Sequence, residues 1–157
     1  MIRVFVPFRR GERTRSATSN RITALYGQLY ETAQLNELTF EAALPEMFGE
    51  ANIDAFKQLA RIARTTTLVD AQGNDIYMPN LDRMAIPITF IHGANNRCFL
   101  PESTARTVIK LSARNGAQLY DRHVIPGYGH IDCIFGKTAA SDVYPLILGH
   151  LERTAES

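Results

Sequence analysis

The residues able to do chemistry are few and fall in two loops. Gly127-Tyr128-Gly129-His130-Ile131-Asp132-Cys133 sets an imidazole on a glycine-flanked turn. Glycines allow backbone angles and close approaches that other residues resist, so His130 can be projected into a cleft. There it reads as a general base, taking a proton from a nucleophile and returning it to a leaving group. The alternative is a turn histidine satisfied by its own loop backbone. The other loop, Gly93–Leu100, carries Cys98 beside Arg97. A thiol nucleophile needs an electropositive setting and a base within reach, which makes Cys98 the candidate thiol. The alternative for both Cys98 and Cys133 is a small buried apolar residue. A disulfide between them is geometrically conceivable but out of keeping with a reducing compartment. His92 reads as structural, His123 as a strand residue and His150 as a packing histidine on a helix.

Other chemistries lack their residues. There is no His-Glu-x-x-His, Cys-x-x-Cys or carboxylate cluster, so no metal site is expected. Asp70-Ala71-Gln72-Gly73-Asn74-Asp75 lacks the alternating ligands and terminal glutamate of a calcium loop, and reads as a turn. No Gly-x-Gly-x-x-Gly or phosphate loop is present, so no cofactor is expected on this chain. Basic residues do not alternate with aromatics, and the formal net charge is only +1, which argues against nucleic acid as a partner.

The elements that must hold the two loops are legible around them. Ile86–Gly93 is an uninterrupted apolar and β-branched run, the pattern of a strand buried on both faces. Pro101 opens a helix with Ala105, Val108, Ile109 and Leu111 inward, and Asn115-Gly116 closes it. Gln118–Ile125 returns as a strand, the glycine-rich loop Pro126–Gly136 follows, and a last helix buries Val143, Leu146, Ile147, His150 and Leu151 with Asp142 as its N-cap. This βαβα order predicts an α/β fold with parallel strands, and in such sheets chemistry gathers beyond the carboxyl ends of the strands. The two loops should therefore be neighbours in space. Upstream, helices are expected over the run Ile22–Tyr30, over Leu38–Met47 up to Gly49, and over Asn52–Thr65 with Ile53, Phe56, Leu59, Ala60 and Ala63 on one face. Leu68–Tyr77 reads as a hairpin turning at Gly73-Asn74, and Ile2–Phe8 as a short strand.

Length and composition bound the rest. The chain of 157 residues, 45% hydrophobic and 21% charged, suits a soluble globular fold with one core rather than a disordered, collagenous or coiled-coil chain. No apolar run approaches the roughly 20 residues of a membrane span, and the two cysteines point to a cytoplasmic location. Arg3, Arg9, Arg10, Arg13, Arg15 and Arg21 crowd the start, with Glu12 the only acid among them. Pro7 and Gly11 interrupt any amphipathic helix there, so residues 1–19 are expected to be a poorly ordered basic segment rather than a targeting sequence. Residues 20–84 are expected to form a cap-like helical region with its hairpin, and 85–157 the core portion.

Ile88–Asn96, Pro101 and Pro126–Asp132 together resemble the last two strand–loop units of an α/β-hydrolase, with closest likeness to acid lipases of the gastric and lysosomal type. Within that likeness, Ile86–Ala94 and His123–Asp132, with Tyr26-Gly27 and Leu35-Asn36-Glu37, resemble the hydrolase-like regions fused behind glucose–methanol–choline-type, cholesterol oxidase-like flavin oxidoreductases. The resemblance implies a partial α/β-hydrolase fold with His130 as the triad base. It puts Asn96 at the triad-acid position, where an amide replaces the acid; Asp132, two residues beyond His130, is the other candidate acid. In a serine protease with a Ser-His-Asp triad, Asp-to-Asn at the orienting position costs about 10⁴-fold in kcat through the wrong tautomer. The family nucleophile sits on a Gly-x-Ser-x-Gly elbow, and none of Ser16, Ser19, Ser103, Ser112, Ser141 and Ser157 is flanked by such glycines. The expectation is the C-terminal portion of a lipase- or esterase-like hydrolase, inactive alone, acting on an apolar ester or sterol-like molecule once joined to an upstream half. The alternative is a non-catalytic docking module of a sterol-oxidising flavoenzyme. The open strand edge implies an oligomer or a partner.

Overall fold

A computed structural model describes residues 29–47 and 52–155. The expected strand Ile2–Phe8, the basic segment 1–19, most of the helical run 22–30 and the helix end at Gly49 lie outside the described residues.

The centre of the fold is a two-stranded parallel sheet, β1 (Ile88–Gly93) beside β2 (Tyr120–Ile125), in register from Ile88 opposite Tyr120 to Gly93 opposite Ile125. The crossover is α3 (Pro101–Asn115), numbered after α1 (Leu44–Met47, continuing a π-helical turn Thr39–Ala43) and α2 (Ile53–Thr65). Proline suits the first turn of α3 because its missing N–H has no partner to lose there, and Gly116 leaves the helix at φ 100°, where a side chain would be strained. After β2 come the short α4 (Asp132–Phe135) and α5 (Ala139–Asp142), then α6 (Tyr144–Ala155). The βαβα order read from sequence is therefore present, with both strands two residues shorter at their starts; Ala117–Leu119 is a 3₁₀ turn.

Polar bonds tie the near end of the sheet to a 3₁₀ segment at Met78–Met84. The Tyr120 hydroxyl donates to Met84 O at 2.6 Å, and Asn115 Nδ2 donates to Leu81 O and Tyr120 Oη, each at 2.8 Å. Beyond the sheet's far end, Ile125, Tyr128, Cys133, Ala139 and Val143 form one buried cluster. A second, of Leu29, Tyr30, Leu35 and Leu44, packs against Cys98 and Ile131.

Several expectations are corrected. Ile88–Ile91 of β1 are half-buried rather than enclosed on both faces, and among the described residues the sheet has only these two strands. Ile109 is 67% exposed while Leu111 is buried, since at 100° per residue the two point to opposite sides of α3. On α6, Val143 is buried just ahead of the helix and Leu146 packs beside it, but Ile147 and Leu151 face outward. Asp142 is not the N-cap of α6: it ends α5, and its carboxylate accepts from the Tyr128 hydroxyl at 2.7 Å. Leu29 and Tyr30 are not helical.

The Leu68–Tyr77 hairpin is a turn without strands. The Asp70 carboxylate accepts the Gln72 and Asn74 backbone N–H groups at 2.9 and 2.7 Å, which satisfies locally what a strand ladder would otherwise take. Gly73, at φ 97°, makes the turn as expected. Helix α2 begins where the sequence places it, with Asn52 Oδ1 accepting from Asp54 N at 2.8 Å, yet none of its residues is buried.

Candidate functional site

The histidine and asparagine loops leave the carboxyl ends of adjacent parallel strands and are stitched together through their backbones. Ala94 N donates to Ile125 O at 2.9 Å and Asn95 N to Tyr128 O at 2.8 Å. The closeness depends on Gly93: a Cβ added there would lie 1.9 Å from Gly129 O and 2.4 Å from Tyr128 O. Gly129 is as constrained, since its Cβ would meet Tyr30 Cα at 2.7 Å.

Asn96 and His130 meet across this seam, Asn96 Nδ2 lying 3.2 Å from His130 Nδ1. Asn96 is buried, and its Oδ1 accepts two backbone N–H groups, from Cys98 at 3.1 Å and Phe99 at 3.0 Å. Those two donors orient the amide: the oxygen must face them, leaving the NH₂ to face the ring. His130 itself is exposed, with the Phe99 ring tilted against it at a centroid distance of 5.0 Å. Its pKa is held below the ordinary imidazole value, first by desolvation and then by His92, against a smaller opposing pull from Asp132.

Asp132, the other candidate acid, is spent on backbone. It is fully buried, and Oδ2 accepts from Gly129 N at 2.8 Å and Glu31 N at 3.3 Å. It thereby closes its own turn and clamps it to the segment before Thr32. Burial raises its pKa, partly offset by the backbone donors. Oδ1 has no hydrogen-bond partner among the described residues.

The cysteines are not activated. Both are free, so the conceivable disulfide is not formed. Burial pushes the Cys98 thiol up, the opposite of what a thiolate nucleophile needs, and Cys133 is pushed up to about 11. Cys133 Sγ lies 3.6 Å from Gly129 O, and Cys98 packs against the cluster around Leu29.

His92 is structural: it is buried and its Nε2 donates to Phe99 O at 2.8 Å, fixing the loop that carries Asn96. His150 Nδ1 lies 3.0 Å from Thr89 Oγ1, joining α6 to β1, and His123 stands in β2.

Two supports of the site have no signal in the sequence. Phe99 flanks the ring, and Leu29 O accepts both His130 N at 2.8 Å and Ile131 N at 3.0 Å, so the segment before Thr32 props the histidine loop from below. Neither carries a motif; one is an aromatic in an irregular loop and the other acts through its carbonyl. An open groove of about 610 Å³ lies elsewhere, lined by Asn36, Glu37, Leu38, Glu41 and Ala42. Among the described residues there is no cluster of three or more metal-ligating side chains, and no helix long and apolar enough to cross a membrane.

Comparison of the chain with protein-family models, with curated proteins and with solved structures finds no match.

Proposed function

We propose that this chain carries the histidine end of a lipase- or esterase-like α/β-hydrolase site, takes an apolar carboxylic ester or sterol-like molecule, and does not hydrolyse the ester by itself. The observation that supports this reading is the 3.2 Å pairing of His130 with Asn96 across loops at the carboxyl ends of adjacent parallel strands. In the full reaction, a hydroxyl nucleophile attacks the ester carbonyl while its proton passes to the histidine, which then protonates the leaving alcohol. This chain's part is the imidazole, its orienting loop and the flanking Phe99. The sequence has no Gly-x-Ser-x-Gly serine, so the nucleophile would come from a partner or from other elements of a larger assembly.

A second reading, a non-catalytic docking module of a sterol-oxidising flavoenzyme, is favoured by one feature: the residue beside the ring is an amide whose oxygen is already engaged. The test is p-nitrophenyl butyrate added to the purified chain and to His130→Ala, with turnover and ring NMR resonances both followed. The hydrolase-like reading expects perturbed His130 resonances without turnover above the His130→Ala rate. An unperturbed ring would overturn it in favour of docking. Turnover lost in Cys98→Ala would overturn it in favour of a thiol hydrolase.

A further inference from the structure

The Asn96 amide does more than occupy an acid's position. Its Oδ1 is held by the N–H groups of Cys98 and Phe99, so the group presented to His130 Nδ1 is a donor, Nδ2–H. A flipped amide would set two hydrogens against those two N–H groups and lose both bonds. The ring's Nδ1 must then accept, which it does only when it bears no proton.

We infer that Asn96 is a positioning residue that locks neutral His130 with its proton on Nε2, so that in this chain alone the ring meets its ligand as a hydrogen-bond donor to an uncharged oxygen, and the base role of the full reaction requires Asn96 to release Nδ1. Nδ1 is committed to Asn96, His130 is exposed, and Nε2 has no hydrogen-bond partner among the described residues, which leaves Nε2–H as the group offered outward. A carboxylate at Asn96 would do the reverse. It would accept from Nδ1–H and leave the Nε2 lone pair free to take a proton. The lock acts on the neutral ring, which desolvation and the nearby His92 of β1 favour over the pull of Asp132 in the histidine's own loop. The oxygen acceptors that fit are an ester carbonyl or a sterol-type hydroxyl. This choice of ligand rests on the hydrolase-like reading; the tautomer does not.

Long-range ¹H–¹⁵N correlation of the His130 ring at neutral pH tests the lock on the free protein. In the wild type, Nε2 is expected to show the shift of a protonated nitrogen and Nδ1 that of a bare one. In Asn96→Asp, whose isosteric Oδ1 can still accept from Cys98 and Phe99, the two shifts should exchange and the ring pKa should rise by about one pH unit or more. A wild-type ring protonated on Nδ1 overturns the inference, and so does an Asn96→Asp ring that keeps the wild-type pattern. Should Asn96→Asp fail to fold, the wild-type spectrum decides the tautomer alone. With p-nitrophenyl butyrate added, a locked ring that stays unperturbed refutes the ligand class and the hydrolase-like reading while leaving the lock intact.

Discussion

The segment from β1 to α6 and helix α2 before it are built on different terms. Around the two loops, backbone meets backbone: Gly93 and Gly129 leave no space for a Cβ, Asp132 clamps two N–H groups, and Leu29 O takes two more. Helix α2 is tied through side chains instead, Gln58 donating to Val69 O and Arg61 to Ala71 O. It has a good N-cap and an apolar stripe, yet no buried residue, with Ile53 66% and Leu59 50% exposed. A helix can thus be well specified locally and still contribute little packing, whereas the imidazole is placed by contacts that tolerate little change. Position at the site comes from the seam between loops, the segment before Thr32 and the cluster around Leu44; α2 buries no residue toward it.

The sharpest way to break this contrast is Gly93→Ala. The added methyl would have to displace the Gly129 and Tyr128 carbonyls, which are backbone and cannot swing aside. Urea unfolding should show a loss of about 4 kcal/mol or more, or no folded protein at all. A near-neutral result would mean that the seam is loose. Next in size, Leu111→Ala in α3 empties a fully buried position and should cost about 2–5 kcal/mol, while Leu59→Ala in α2 should cost less than about 1 kcal/mol. Equal losses would erase the distinction between the two regions.

Asp132→Asn sharpens the contrast through pH. The folded pKa of Asp132 is raised above its unfolded value of 3.8, so between those two pH values the folded state holds a proton that the unfolded state has released. Asp132 therefore makes stability fall as pH rises from about 3.8 through the folded pKa, and level off above it. In matched urea titrations the wild type should lose stability relative to Asp132→Asn across that window. A gap that stays constant with pH would contradict the buried-carboxylate account. The smallest effect belongs to α2: Lys57→Ala removes an exposed ion pair with Asp54, 2.8 Å long, and should change stability by less than about 0.5 kcal/mol.

What the sequence makes legible follows the same division. Hydrophobic runs, Pro101 and Gly116 locate the strands and the crossover helix because those signals are local and periodic. Parallel pairing then brings Asn96 and His130 to one end of the sheet. The orientation of the Asn96 amide is not legible, because it depends on backbone donors that fold back from Cys98 and Phe99. Nor is the role of Asp132, whose two partners lie 3 and 101 residues away in sequence. The Gly73-Asn74 turn between Leu68-Val69 and Ile76-Tyr77 suggests strands that do not form, because turn residues do not show that a carboxylate will satisfy the turn. Periodicity gives α2 an inward face without saying whether a partner surface exists.

Which side chain governs the His130 ring is addressed directly by an NMR pH titration of the four histidines in one sample. With the Asn96 amide as the ring's partner and burial opposing charge, His130 should titrate below the ordinary imidazole value of 6.5. A His130 that titrates above that value would show the ring paired with a carboxylate, Asp132 foremost, and would contradict the central claim.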